Sequence, residues 1–210
     1  MRRVPWWTLV SSVAAPVLLI GGWTVAAAVQ PTPFDGTVRT ISELAAQGTP
    51  YRWVMTGALV GVGLSHVVTA LGLAPAATPG RLVHGLGGLA TLLVAAFPLP
   101  AGGGSSRAHT TAAALSFVAL AVWPAVAWVR PRSPAQAVAF LGPRVSAAAT
   151  SALLLTLAWF VAELAASGQR VGLAERAAAG AQAMWPLAVV LSLQWTLSRT
   201  QHDHVDPGRT

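Results

Sequence analysis

Four side chains in this sequence could hold or move a proton beside a bound molecule: Glu43, His109, Glu163 and Glu175. Three carboxyls and an imidazole, with a proton donor facing a base in a dry pocket, could open an ester or protonate an isoprenoid. Each also has a plainer role. His109 follows Phe97-Pro98 and a glycine-serine loop, where it is either a base or metal ligand, or a helix-start residue without a special partner. Glu175 sits beside Arg176 at the head of an apolar run, where an acid is favoured by the helix macrodipole alone. Thr156, Trp159 and Glu163 share one helical face at spacings of three and four. That face is expected to point inward and to bring Glu163 to the same end as the others; turned outward, Glu163 would only reach for the interface.

Glu43 belongs to a polar stretch, 30–52, that also carries Asp35, Arg39 and Ser42. Thr40-Ile41-Ser42-Glu43 reads as a capping box, and Gly48 with Pro50 as a stop, predicting a short helix over 41–47. Glu43 then either caps its own helix or turns toward His109. The expected ligand-binding set is Asp35, Arg39, Ser42, Glu43, His109, Trp159, Glu163, Glu175 and Arg176.

The elements that must position these groups are apolar. The chain is 54% hydrophobic and 9% charged with a mean hydropathy of +0.61, far from the roughly 25% charged residues of soluble domains. Six runs approach the ~20 residues a bilayer crossing needs: 5–29, 53–73, 82–99, 110–129, 145–166 and 177–197. The fold class expected is all-α, a six-helix transmembrane bundle with a short helix in the first loop and a polar tail over 199–210. The first run also resembles a signal peptide after Met1-Arg2-Arg3, but about 25 apolar residues is long for one, and a retained span is expected.

All 13 basic residues are arginines, and they set the orientation. With the N-terminus inside, Arg2, Arg3, Arg81, Arg130, Arg132, Arg144, Arg199 and Arg209 fall on the inner side. Arg39, Arg52, Arg107, Arg170 and Arg176 fall on the outer side. Both termini are then cytoplasmic and stretch 30–52 lies outside. The net charge of +7 is dispersed between apolar runs, which points to membrane flanks and away from nucleic acid. Gly57, Gly61, Ser65 and Thr69 make a small-residue face for helix contact.

The absence of cysteine excludes disulfides and thiolate chemistry, and no Walker loop, GxSxG or HExxH is present. His66 and His84 lie within spans at depths that differ by an estimated two helical turns. A hydrogen bond across helices is therefore expected rather than a haem, and no cofactor or metal is predicted. His202 and His204 belong to the solvated tail.

The order of a first span, Ile41-Ser42-Glu43-Leu44, Phe97-Pro98 ahead of His109, and Gly172-Leu173-Ala174-Glu175-Arg176 ahead of a last span resembles a bacterial and archaeal family of six-span membrane proteins, catalogued as domain of unknown function nine-nine-eight. The resemblance implies the topology, a bacterial plasma membrane and the matching residues Ser42, Glu43, His109, Glu175 and Arg176; it implies no activity. The expected function is binding of a membrane lipid or small apolar ligand in an outward-facing polar vestibule. The alternatives are a membrane enzyme using the outer Glu and His residues, and a haem electron carrier using His66.

Overall fold

A computed structural model of the protein describes residues 4–129 and 139–205. Among these there are seven α-helices: α1 Trp6–Ala28, α2 Ile41–Leu44, α3 Arg52–Gly72, α4 Thr78–Ala96, α5 Arg107–Ala127, α6 Pro143–Ala165 and α7 Val171–Val205. The six long ones form a ring in chain order, each packed on its sequence neighbours, with α7 closing onto α1.

Local chemistry sets the boundaries. Pro79 and Pro143 occupy the first turns of α4 and α6, where a missing N–H costs nothing. The Ser106 hydroxyl caps α5 by accepting from the His109 amide at 3.1 Å. Helix α4 begins at Thr78 rather than near 82, despite Arg81 in its first turn. The Arg81 guanidinium instead donates to the carbonyls of Ala70 (3.0 Å) and Leu71 (2.8 Å) at the end of α3, where a cation meets the negative end of the helix dipole.

Helix α7 differs most from expectation. It begins at Val171, ahead of the expected 177, and its backbone stays helical through 199–205, where a tail was expected. Residues 206–210 lie outside the described residues, as do Arg2, Arg3, Arg130 and Arg132. Most of the arginine bias behind the inside-outside assignment therefore falls outside them too.

Five helices are long and apolar enough to cross a membrane: α1, α3, α5, α6 and Val171–Thr196 of α7. Their outward faces stay apolar; in α6 only 22% of the apolar window is buried. Leu71, Leu82, Leu155 and Trp195 all point outward. A surface of that kind suits hydrocarbon, and the chain is a multi-pass membrane protein. Helix α4 is not among the five, because Arg81, His84 and four glycines lower its hydropathy. Those same small residues let it sit between α3 and α5. A Cβ on Gly88 would stand 2.7 Å from the Gly63 carbonyl oxygen of α3, so the two backbones touch.

The small face expected on α3 packs mainly on α1. Gly61 receives Leu18, and Thr69 shares a 2.7 Å hydrogen bond with Ser11. Gly57 meets nothing. Three apolar clusters fill the ring, one at the α2 end around Leu44, Met55 and Val62, one at the far end around Trp123 and Leu193, and one between α5, α6 and α7. Backbone bonds join the connections at each end: Gln47 to Leu99 and Leu173 to Thr37 at one, Ala77 to Ala127 and Val129 to Leu141 at the other.

Candidate functional site

The stretch between α1 and α3 is a roof over the ring. Its anchors are Ile41 and Leu44, both buried in the α2-end core, and each side chain contributes about 1.5–3 kcal/mol. The capping box forms as the sequence predicts: the Glu43 amide donates to Thr40 Oγ1 at 3.2 Å, and the Thr40 amide donates to Glu43 Oε1 at 2.9 Å. The second Glu43 oxygen takes Arg39 Nε at 2.9 Å. Of its two expected roles, Glu43 fills the local one, and its carboxylate is not shared with His109. The helix is also shorter than the expected 41–47. After Leu44 the chain tightens into i→i+3 turns, Ala45 to Ser42 and Ala46 to Glu43, before Gly48 at φ +80° reverses it.

The start of α7 is the platform that receives this roof, and four of the five residues of Gly172–Arg176 meet it, with Ala174 facing the core instead. A Cβ on Gly172 would fall 2.1 Å from the Arg39 carbonyl oxygen, so only glycine allows the approach. The Leu173 amide donates to the Thr37 carbonyl at 2.9 Å. Ala174 is fully buried against α6. Glu175, 4% exposed, accepts from the Ile41 amide through Oε2, and the Ser42 hydroxyl reaches its Oε1 at 3.4 Å. Arg176 Nη1 donates to the carbonyls of Gly36 (2.7 Å), Arg39 (2.8 Å) and Gly172 (3.0 Å). Its guanidinium also lies 5.8 Å from the Trp23 ring centre. Asp35 shapes the loop itself, its carboxylate accepting from the Thr37 amide at 2.9 Å.

Beneath the roof lies a cavity walled by α1, α2, α3, α4, α5 and α7. Its atom-free space, open mouth included, is about 550 Å³. Ile41, Ser42 and Glu175 form one end. Leu59, Val62, Val94, Phe117 and Ala179 line the middle. His66, Thr91, Ser116 and Gln182 add polar atoms deeper in. From Glu175 to Gln182 along α7 is about 10 Å at 1.5 Å per residue.

The structure therefore gathers only part of the expected set. Ser42 and Glu175 line the cavity, with Arg176 and Arg39 just outside. His109 is buried but does not reach it: Nδ1 donates to the Phe97 carbonyl at 2.8 Å and ties α5 to the end of α4. Trp159 and Glu163 are not brought in either. The inward face of α6 is Leu153, Leu157 and Phe160, one helical step away from theirs. Trp159 Nε1 donates to Glu163 Oε1 (3.3 Å) and the Arg170 amide to Oε2 (3.2 Å), so Glu163 holds the α6–α7 turn. The expected polar vestibule uniting Glu43, His109, Glu163 and Glu175 is absent among the described residues. In its place is a mostly apolar cavity with one carboxyl.

His66 and His84 correct another expectation. They are level, not two turns apart, and His66 Nδ1 meets His84 Nε2 at 2.9 Å. His66 lies six residues before the end of α3 at Gly72, and His84 six after the start of α4 at Thr78, so an antiparallel hairpin pairs them. An iron between those nitrogens would need about 4 Å, twice a metal–imidazole bond of ~2 Å. The pair is a hydrogen bond, with His84 stacked on Trp123 at 4.7 Å. The side chains of His202 and His204 lie outside the described residues.

Sequence reasoning misses Gln182, Thr91 and Ser116. Their signal is that of any polar residue in an apolar run, and only the ring order shows which of them share a wall. The Thr91 hydroxyl donates to the Gly87 carbonyl and contacts Ser116 at 2.7 Å, while Gln182 Nε2 donates to the Phe117 carbonyl at 3.0 Å.

No curated protein and no solved structure matches the chain. The three segments that the fold joins around α2 are those that carry the resemblance seen in the sequence, and over residues 12–192 the chain belongs to the family described as Protein of unknown function (DUF998).

Proposed function

We propose that the protein is a six-span membrane protein that binds a small apolar-bodied ligand or lipid in the cavity beneath α2. The observation that carries this reading is the roof: a single-turn helix, held by Glu175 and Arg176, closes the end of a largely apolar space lined by five long helices. A loop needs no such docking to join two spans. Anchored over a cavity, it separates a guest from water. Helix α4 is the sixth span in this reading. Its 19 residues extend about 28 Å, close to the ~30 Å hydrocarbon core, and its buried His84 and glycines are covered by α3 and α5. The roof end is then the outer one, as the arginine distribution suggests.

The enzyme alternative loses its constellation, since Glu43 and His109 are committed elsewhere, and binding is favoured. Native mass spectrometry of the detergent-purified protein tests the reading. Wild type should carry a small hydrophobic adduct, and Ala179→Trp, which fills the cavity, should lack it. A wild type without any adduct that is also not stabilised by added lipids would overturn the proposal.

A further inference from the structure

The cavity has a chemical sign that its apolar middle hides. Among the described residues Glu175 is the only carboxyl or guanidinium side chain on its wall, and although the neighbouring Arg176 acts on it through space, the two form no ion pair. Among the described residues the ion pair at the roof is Arg39 with Glu43, and Arg176, although adjacent, has given its Nη1 to three carbonyls. One Glu175 oxygen is taken by the Ile41 amide; the other has only the long Ser42 contact.

The deeper polar atoms lean the same way. The Thr91 and Ser116 hydroxyls share one hydrogen bond, and Thr91 also lies within bonding distance of the Gly87 carbonyl, so at most one hydroxyl proton is left for a guest while both oxygens keep lone pairs. Gln182 has one amide proton committed to Phe117, which fixes its carbonyl oxygen as a free acceptor. Its second amide proton remains as a donor on the wall, and the His66 ring offers a donor or an acceptor according to its tautomer. A guest that satisfies this wall brings its own N–H groups and positive charge, on an apolar body that fits between Leu59, Val62 and Phe117.

We infer that the cavity takes an alkylammonium: a primary amine in its protonated form, the ammonium against Glu175 under α2 and the hydrocarbon among the apolar side chains. This rests on the cavity reading above and names its ligand class. A phosphate-bearing headgroup does not suit, because among the described residues no arginine lines the wall to meet the phosphate, and two acyl chains exceed the space.

Isothermal titration of the purified protein with n-butylammonium and with n-butanol tests it. Wild type should bind the ammonium about tenfold or more tighter than the alcohol, the scale of a hydrogen bond to a charged group. Glu175→Gln should abolish that preference and keep butanol binding, which also shows that the variant is folded; Glu175→Asp, which retains the charge, should keep the preference. Equal affinity for ammonium and alcohol in wild type would overturn the inference while leaving the cavity reading standing. Binding of neither would overturn both. Competition with butylammonium by vesicles of phosphatidylethanolamine would overturn the assignment to a phosphate-free amine.

Discussion

At the scale of residues, Glu175 and its neighbours divide two tasks that the sequence presents as one. Glu175 reads as an acid at the head of a span, and the macrodipole alone would account for it. Its actual partner is a backbone amide 134 positions away, a contact that no local pattern encodes. Arg176 likewise appears as a basic flank and serves as a clamp on three carbonyls. Removing it with Arg176→Ala leaves the carbonyls of Gly36 and Arg39 short of a donor. A loss of about 1–3 kcal/mol is expected, measured as a lower unfolding midpoint, and Arg176→Lys should recover only part of it because one ammonium cannot hold the same fork. Gly172→Ala is expected to be worse at the roof than its one methyl suggests. The added Cβ meets the Arg39 carbonyl, and overpacking of this kind costs ~1–3 kcal/mol. Limited proteolysis between residues 30 and 50 should speed up in that variant, and an unchanged rate would mean the loop is not seated on Gly172.

At the scale of elements, the roof shows what was legible and what was not. The capping box of Thr40 and Glu43 is written in four consecutive residues and forms as read. The length of the helix is not, because Gly48 and Pro50 mark where the chain turns, not where α-geometry ends. Thr40→Ala should weaken the roof by about 1 kcal/mol with little change in global stability. Hydrogen exchange should accordingly rise at the Ile41–Leu44 amides and not in α3; uniform loss of protection would contradict a local role. The His66–His84 pair was legible in principle, since hairpin symmetry about the 73–77 turn sets the residues level, but only once α4 is known to start at Thr78. Glu163 was misjudged for a related reason. Its i,i+4 face with Trp159 is real, and the rotation of α6 about its axis, set by Leu153, Leu157 and Phe160, turns that face away from the cavity.

At the scale of the whole molecule, hydropathy carried the bundle. Each apolar run became a helix, and their alternation up and down follows from short connections joined at each end. The count of spans depends on α4, whose Arg81, His84 and glycines are set against α3 and α5 while Leu82, Leu86, Leu89 and Leu93 stay exposed on its outer face. The lack of cysteine makes this testable. Single substitutions Gln47→Cys, Ser105→Cys and Gln169→Cys should all be labelled by an impermeant maleimide from the same side of intact cells, and Thr78→Cys only after permeabilisation. Labelling of Thr78→Cys together with Ser105→Cys would mean that α4 does not cross. The cavity itself was not legible, because its wall is assembled from six elements that contribute one to four side chains each. An experimental density map of the protein in a lipid nanodisc, at a resolution that shows side chains, tests most directly whether the cavity holds a guest. Non-protein density is expected between Glu175 and Gln182 with α2 seated above it. Side chains collapsed into that space, or α2 lifted away from Glu175 with the interior open to water, would contradict that expectation.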